Sequence, residues 1–293
     1  GGKLLVGTDG RFVEGNALNG ATSYDICGNA LNGATSYDVS GNADNGAAIT
    51  SITIPTDASW SRNGADIIGE AAGDYSGMSV SLSSDGTIMA IGAYNNDGTG
   101  LSDAGHVRVY QYDANSPNET DQSSADFGPV GWRRLGADID GEAAGDSSGY
   151  SVSLSSDGTI VAIGALTNGG AGSNSGHVRV YQYDANKTVA VSEQSSADYG
   201  PVGWKRLGAD IDGETAGDRS GNSVSLSSDG TVVAIGATWN DGTGSNVGHV
   251  RVYQYANSSW SQLGADIDGE ATNNFSGASV SLSSDGTIVA IGS

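Results

Sequence analysis

Two sets of residues have types and spacings that could do chemistry. In the stretch beginning at Asp138, the carboxylates Asp138, Asp140, Glu142 and Asp146 stand at relative positions 1, 3, 5 and 9. Those are offsets at which an oxygen-rich loop wraps calcium. Asp210, Asp212, Glu214 and Asp218 repeat the spacing, whereas the equivalent stretches before and after carry Ile68 at position 3 and Asn274 at position 9. Position 6, where a calcium loop needs glycine for its sharp turn, is Ala143 in one stretch and Thr215 in the other. These residues are therefore calcium candidates set against a simpler reading, an acidic solvated turn, and otherwise no cofactor is expected. The second set is His106, His177 and His249, which occupy one position in three near-identical segments. A catalytic histidine is needed once, so recurrence points to a structural imidazole at a strand start. No unique Ser/His/Asp grouping, Cys/His metal spacing or phosphate loop stands out. Cys27 is the only cysteine, which leaves no intrachain disulfide and reads as a passive thiol. The expectation is a protein that is not an enzyme.

What must position these residues is a repeat. A segment beginning Trp132-Arg-Arg-Leu-Gly-Ala-Asp-Ile recurs almost letter for letter from Trp60, Trp132, Trp204 and Trp260. A period of this size marks a modular array. Within it, Ser151-Val-Ser-Leu-Ser155 alternates as a strand does, and Ser156-Asp-Gly158 signals a tight turn. Thr159–Ile163 is apolar on both faces, as in a central buried strand, and His177–Tyr183 alternates again. The next tryptophan opens a fourth short strand, Trp204–Ile211. Four short antiparallel strands per module and no helical period describe an all-β chain, a β-propeller of four-stranded blades. At least four blades are visible: 60–131, 132–203, 204–259 and an incomplete 260–293. Residues 1–59 hold a possible hairpin (Lys3–Val6 with Arg11–Val13), a Gly/Asn-rich 13-residue tandem and a strand-like Ile49–Ile54. They read as a degenerate blade, closing strands or a linker.

The order Ser148-Gly-Tyr-Ser-Val-Ser-Leu-Ser, Ile160-Val-Ala-Ile-Gly-Ala165 and Gly176-His-Val-Arg-Val-Tyr181 resembles the FG-GAP repeat of integrin α-chain-like β-propellers. The likeness covers about residues 60–293. The Phe-Gly element survives only as Phe275-Ser-Gly, and no proline follows Gly-Ala. The resemblance implies a ring of seven blades, so the chain is expected to be part of a larger ring and reads as a fragment. In the calcium-binding form of the family, an Asp-x-Asn/Asp-x-Asp-Gly loop joins the first two strands. Here that loop is only Ser155-Ser-Asp-Gly158, so the match is to the metal-free variant.

Composition narrows the partners. With 12 Lys plus Arg against 34 Asp plus Glu, the formal charge is −22, which repels nucleic acid and anionic membranes. No apolar run is long enough to span a bilayer. Spacings between tryptophans differ because one connection shrinks from Asp184–Gly203 to Ala256-Asn-Ser-Ser259, so that connection belongs on the surface. It carries three of the four sequons, Asn118, Asn186 and Asn257, the fourth being Asn274. An extracellular or cell-surface glycoprotein is the expectation. Its function would be adhesion, ligand binding or matrix interaction with a protein or glycan ligand. Alternatives are a structural module of a cell-surface fibre or sheath, with self-association, and an enzyme using the propeller channel. Binding is expected on the loops where copies differ, Tyr94–Asp103, Leu166–Asn174 and Thr238–Val247, with Trp239, Tyr94, Asn240 and Asp241 as its residues.

Overall fold

A computed structural model describes residues 61–293, apart from Thr99, Ala125, Asp126 and Thr243, together with the backbone of Gly2–Val6 and Arg11–Gly15. Cys27, the 13-residue tandem, Ile49–Ile54 and Trp60 lie outside the described residues. Contacts divide the chain into two units, Gly1–Ser61 and Arg62–Ser293. In the first, β1 (Gly2–Val6) and β2 (Arg11–Gly15) form the expected hairpin, with Leu4 opposite Val13.

The second unit is all-β and built of propeller blades. Its first sheet orders β3 (Ser79–Leu82), β4 (Ile88–Ala93), β5 (His106–Tyr112) and β6 (Trp132–Arg134), with β7 (Ile139–Asp140) also on β5. The second holds β8 (Ser148–Leu154), β9 (Ile160–Ala165), β10 (His177–Tyr183), β11 (Trp204–Arg206) and β12 (Ile211–Asp212). The third holds β13 (Ser220–Leu226), β14 (Val232–Ala237), β15 (His249–Ala256), β16 (Ser259–Gln262) and β17 (Ile267–Asp268). A hairpin of β18 (Ser279–Leu282) and β19 (Val289–Gly292) follows. Each sheet straddles the sequence repeat, because the tryptophan segment supplies the outer strand of the sheet before it. That outer strand is broken in two, since Leu207-Gly-Ala-Asp210 leaves the ladder between β11 and β12.

Neighbouring sheets are bonded as well as packed. The alternating serines are the linkers. The Oγ of Ser79, Ser151 and Ser223 each donates to a carbonyl of the next sheet, at Gly149, Gly221 and Gly277, all at 2.7 Å. In return, the amides of Leu154, Leu226 and Leu282 donate to Ser81, Ser153 and Ser225 of the sheet before, all at 2.9 Å. Trp204 Nε1 donates to Leu135 O at 2.9 Å and Trp260 Nε1 to Leu207 O at 2.7 Å, so each outer strand is tied back to the previous one. Between these bonds Val152, Leu154, Val161 and Ile163 pack on Ala90, Val107 and Val109. Burying each such Val, Leu or Ile contributes about 1.5–3 kcal/mol. The central strands β9 and β14 are buried at every residue, as the two-sided apolar pattern requires.

The Ser-Asp-Gly turn is five residues long and not a two-residue hairpin loop. Asp157 Oδ1 accepts from Ser155 Oγ at 2.7 Å and from Thr159 N at 3.0 Å, and only Gly158 takes a positive φ, +71°. The third sheet does use a two-residue loop. Asn257 and Ser258 turn at φ +52° and +63°, the mirror-image geometry that suits hairpins. Sheet spacing is set by Gly92, Gly164 and Gly236, where a Cβ would collide with the carbonyls of Gly149, Gly221 and Gly277. Backbone blocks backbone there, so no rotamer change relieves the clash. Gly164→Ala is expected to lower stability by at least about 2 kcal/mol, read as the midpoint of thermal or urea unfolding. An unchanged midpoint would show that the sheets are not held this closely.

Candidate functional site

Two places gather chemical groups: the outer edge of each blade and the end of the array carrying the β4–β5, β9–β10 and β14–β15 loops. At the outer edge, Arg108 of β5 is buried and points at the connection before β7. Its Nε and Nη2 donate to the two oxygens of Asp138 at 2.9 and 2.7 Å, and Nη2 also meets Glu70 at 2.5 Å. Arg134 reaches the same Asp138 at 2.7 Å. The next blade repeats this with Arg179, Asp210, Arg206 and Glu142. The third does so with Arg251, Asp266 and Glu214, Gln262 standing in for the second arginine. Each of the first two clusters is covered by its long loop. The Phe127 ring lies against Arg108 and Arg134 at 5.3 and 5.0 Å, and the Tyr199 ring against Arg179 and Arg206 at 5.4 and 4.6 Å. That is a cation–π arrangement with the ring screened from water on one side.

His106, His177 and His249 begin β5, β10 and β15 and are buried beside these clusters. Burial, aided by the neighbouring arginine, drives His177 down to about 4, and burial lowers His106 and His249 too. They are neutral imidazoles at pH 7, in the strand-start role the sequence suggests. Glu70, His106 and Asp138 present ligand atoms within 4.8 Å of one another, as do Glu142, His177, Asp210 and Glu214, His249, Asp266. A guanidinium already supplies the positive charge in each trio. Burial alone would push Asp138, Asp210 and Asp266 up, yet hydrogen bonds and charge from the arginines hold all three below the usual carboxylate range. A divalent cation would have to displace a buried arginine from these groups.

The calcium candidates do not converge. Asp138 turns to Arg108, and Glu142 turns to Arg179 of the next blade. Asp146 is buried and accepts from Ala143 N at 2.9 Å and Asn168 Nδ2 at 3.0 Å. Asp210 and Glu214 repeat the split, to Arg179 and Arg251. Asp218 caps Thr215 through its amide at 2.9 Å and hydroxyl at 2.7 Å. The spacing is that of a loop, but here the backbone crosses from one blade to the next, so successive carboxylates serve different sheets.

Asp140 and Asp212 behave differently. Both sit where the outer strand rejoins the sheet, paired in register with His106 and His177. Burial raises Asp140 to about 6, helped by the negative charges of Asp138 and Glu70. Burial and Asp210 raise Asp212 in the same direction. The approach to Asp140 is over Gly98 of the β4–β5 loop, where a Cβ would come within 3.9 Å of the carboxyl carbon. The same loop starts at Tyr94, whose ring stacks on Tyr75 at 5.3 Å and meets Tyr150 edge-on at 5.4 Å.

Tyr75, Ser147, Arg219 and Phe275 share one repeat position, and all four hold a left-handed φ of 54–55°. Non-glycine residues there cost strain of about 1 kcal/mol or more. It is also where copies differ in side chain. In the third blade Trp239 lies beneath Arg219 at 4.4 Å and edge-on to Phe275 at 5.6 Å, leaving 42% of its surface exposed. Of the other binding candidates, Asp241 is exposed and closes its own loop by accepting from Asn246 N at 2.9 Å. Asn240 is buried and accepts from Gly242 N, as Asn96 and Asn168 accept from Gly98 and Gly170, so it is framework. Asn118, Asn186 and Asn257 are exposed on the surface connections, and Asn274 is half-buried. A groove of about 800 Å³ lies under the second long loop, but its Lys205 and Arg206 are engaged by Asp198 and Asp210.

No family model matches the chain, and no curated protein matches it. It is similar to a Bacteroides uniformis structure assigned as a 6-phosphogluconolactonase, at 12% identity and a TM-score of 0.35, covering 73% of this chain and 63% of that one. It is also similar to the hydrazine synthase of Kuenenia stuttgartiensis, at 13% identity and a TM-score of 0.37, covering 72% and 54%. The periplasmic gluconolactonase of Pseudomonas aeruginosa matches at 14% and 0.32, covering 73% and 64%. The chain thus spans between about half and two thirds of their length. What the two gluconolactonase-type structures share with this chain is the propeller-like arrangement of four-stranded sheets. All three are named as enzymes, contrary to the expectation of a non-enzymatic adhesion, ligand-binding or matrix propeller, and the likeness itself extends to the fold alone. The integrin-type identity has no match among them.

The raised Asp140 has a measurable consequence. Its proton is held more tightly in the folded chain than in the unfolded one, where an aspartate titrates near 3.9. Stability therefore falls as pH rises from about 4 to about 6 and stays lower above. Asp140→Asn removes the penalty. It is expected to leave the urea midpoint unchanged near pH 4 and to raise stability by about 1–2 kcal/mol at pH 8. A variant less stable than the parent at pH 8 would mean that the carboxylate is ion-paired in the fold.

Proposed function

We propose that the chain is part of an enzyme-type propeller that handles a small polyhydroxylated substrate at its loop end, with Asp140 as the proton-transfer group. The observation that carries this reading is Asp140, raised to about 6, lying beside Gly98 of the loop that begins at Tyr94. A carboxylate with that affinity is mostly ionised at pH 7 yet basic enough to take a proton from water, which general-base catalysis needs. Tyr75, exposed and stacked on Tyr94 with Tyr150 edge-on to that ring, offers an aromatic surface that suits the C–H face of a sugar-like ring. The chemistry is then hydrolysis: Asp140 takes one proton from a water, the hydroxide equivalent adds to an acyl carbon, and the leaving alkoxide is protonated from solvent. Asp212 occupies the corresponding place in the next blade, beneath a loop that carries Leu166 in place of Tyr94 and so lacks the stacking surface. On motif grounds, the order Ser-Gly-x-Ser-Val, Gly-Ala and Gly-His-Val-Arg-Val-Tyr supports kinship with FG-GAP repeats. The acidity and the exposed sequons support an exterior location.

The test is a panel of sugar lactones and small esters assayed over pH 4–9. Turnover is expected with an ascending limb near pH 6. Asp140→Asn is expected to lower kcat/KM by about 10²-fold or more, while Asp212→Asn changes it little. No turnover across the panel, or full activity in Asp140→Asn, would sink the proposal.

A further inference from the structure

The third blade keeps the seat of a long loop without the loop. In the first two blades the loop ends in Phe127-Gly-Pro-Val-Gly131 or Tyr199-Gly-Pro-Val-Gly203, and three contacts hold that end. The amides of Arg134 and Arg206 point outward from their sheets and donate to the carbonyls of Phe127 and Tyr199, at 2.7 and 2.8 Å. The amides of Ala65 and Ala137, from the preceding outer segment, donate to the carbonyls of Val130 and Val202, at 2.7 and 2.8 Å. The aromatic ring lies on the blade's own arginines. Both glycines are obligatory. A Cβ on Gly128 or Gly200 would strike the carbonyl of Trp132 or Trp204, and one on Gly131 or Gly203 would strike Gly64 or Gly136.

In the third blade the connection shrinks to the turn at Asn257 and Ser258, and the partners of the loop remain. Leu263 N donates into the sheet, to Val252 O at 2.7 Å, so the Gln262 amide of β16 points outward as those of Arg134 and Arg206 do. Ala209 stands where Ala65 and Ala137 stand in the repeat. Neither the Gln262 amide nor the Ala209 amide meets an acceptor among the described residues. No described ring lies over Arg251. Ala209 opens onto the groove of about 800 Å³, with Leu207, Tyr255 and Ser258 among its walls. The seat lies inside the array, where the second sheet meets the third.

We infer that this seat binds an extended segment of another protein, with the sequence aromatic-Gly-Pro-Val-Gly. The two sibling blades identify the occupant, because each holds that sequence in the same place with the same donors. The segment lies along the free edge of β16, as an added strand does. The carbonyl of its aromatic residue accepts from Gln262 N, its ring covers Arg251, and the carbonyl of its valine accepts from Ala209 N. Proline suits the middle of the segment, since its fixed φ favours an extended chain and it brings no N–H to satisfy. A residue larger than glycine on either side is refused by backbone. The loops of the first two blades are bound within one chain, at an effective concentration in the millimolar range, so a free segment binds more weakly than they do. The seat is at the outer edge and Asp140 is at the loop end, so peptide binding and turnover are separable.

The test is titration of the isotope-labelled chain with a capped peptide, Ser-Ala-Asp-Tyr-Gly-Pro-Val-Gly, copied from residues 196–203, up to about 2 mM. Amide NMR is expected to show saturable shifts centred on Ala209 and Gln262, and slower hydrogen exchange at those two amides. A peptide with alanine for tyrosine, or for the glycine before proline, is expected to bind about fivefold more weakly or worse. Gln262→Pro removes the outward N–H at an edge where proline is tolerated and is expected to weaken binding by a similar factor, whereas Gln262→Ala keeps the amide and the affinity. Replacing residues 256–259 by the connection 184–203 fills the seat and is expected to abolish binding, which keeps the test decisive if Gln262→Pro does not fold. No saturable shift up to about 2 mM, equal affinity for a scrambled peptide, or parental binding by the loop-grafted chain would overturn the inference.

Discussion

The structure depends on the contact between one blade and the next. A four-stranded sheet has two faces, and in this sequence both are apolar over the central strands. β9 and β14 could not be buried at every residue unless a sheet lay on each side. The fold solves this with a spacing short enough for a serine hydroxyl to bridge it and for a glycine to be obligatory opposite a backbone carbonyl. The alternating Ser-Val-Ser-Leu strand therefore has two jobs. Its aliphatic half fills the gap behind, and its serine half bonds to the sheet ahead. Buried polar groups are satisfied across every junction, which turns a non-directional apolar contact into one with a fixed register.

Charge is arranged around the same architecture. Five of the twelve Lys and Arg residues, Arg108, Arg134, Arg179, Arg206 and Arg251, are half-buried or buried in outer-edge clusters. Glu70, Asp138, Glu142, Asp210, Glu214 and Asp266 neutralise them within the clusters, so the acidic excess lies on the rest of the surface. Removing one carboxylate from such a cluster leaves a buried cation, which costs far more than an exposed ion pair is worth. The clusters lock each outer strand to its sheet and, in the first two blades, to the long loop above it. Asp140 inherits its raised affinity from this arrangement, since it lies beside Asp138 and Glu70 but is not reached by their arginine partners' hydrogen bonds.

The strand pattern was legible because its causes are local. Alternation, two-sided apolar runs and Asp-Gly turns placed β3–β5, β8–β10 and β13–β15, and recurrence placed the histidines at strand starts. What was hidden lies between segments far apart in sequence. Arg108 in Val-Arg-Val looks like a solvent-facing residue of an alternating strand. Its partners are 30 residues on, at Asp138, and 38 back, at Glu70. The signal was the recurrence of Arg, Glu and Asp at one period, with Phe127 and Tyr199 at equivalent places in the long loops. The carboxylates spaced like a calcium loop misled because spacing says nothing about which sheet each side chain serves. The aromatic group at the loop end was half visible. Tyr94, Trp239 and Phe275 stood out in the sequence, but Tyr75 looks like an ordinary residue until the left-handed backbone that displays it is seen.

Amide hydrogen exchange tests the inter-blade account most directly. The amides of Leu154 and Leu226 face away from their own ladders, and their only acceptors are Ser81 and Ser153 of the preceding sheet. They should exchange slowly in the parent, and Ser81→Ala should speed Leu154 alone while Ser153→Ala speeds Leu226 alone. If neither amide is protected, or if neither responds to loss of its serine, the sheets are not joined in the way described.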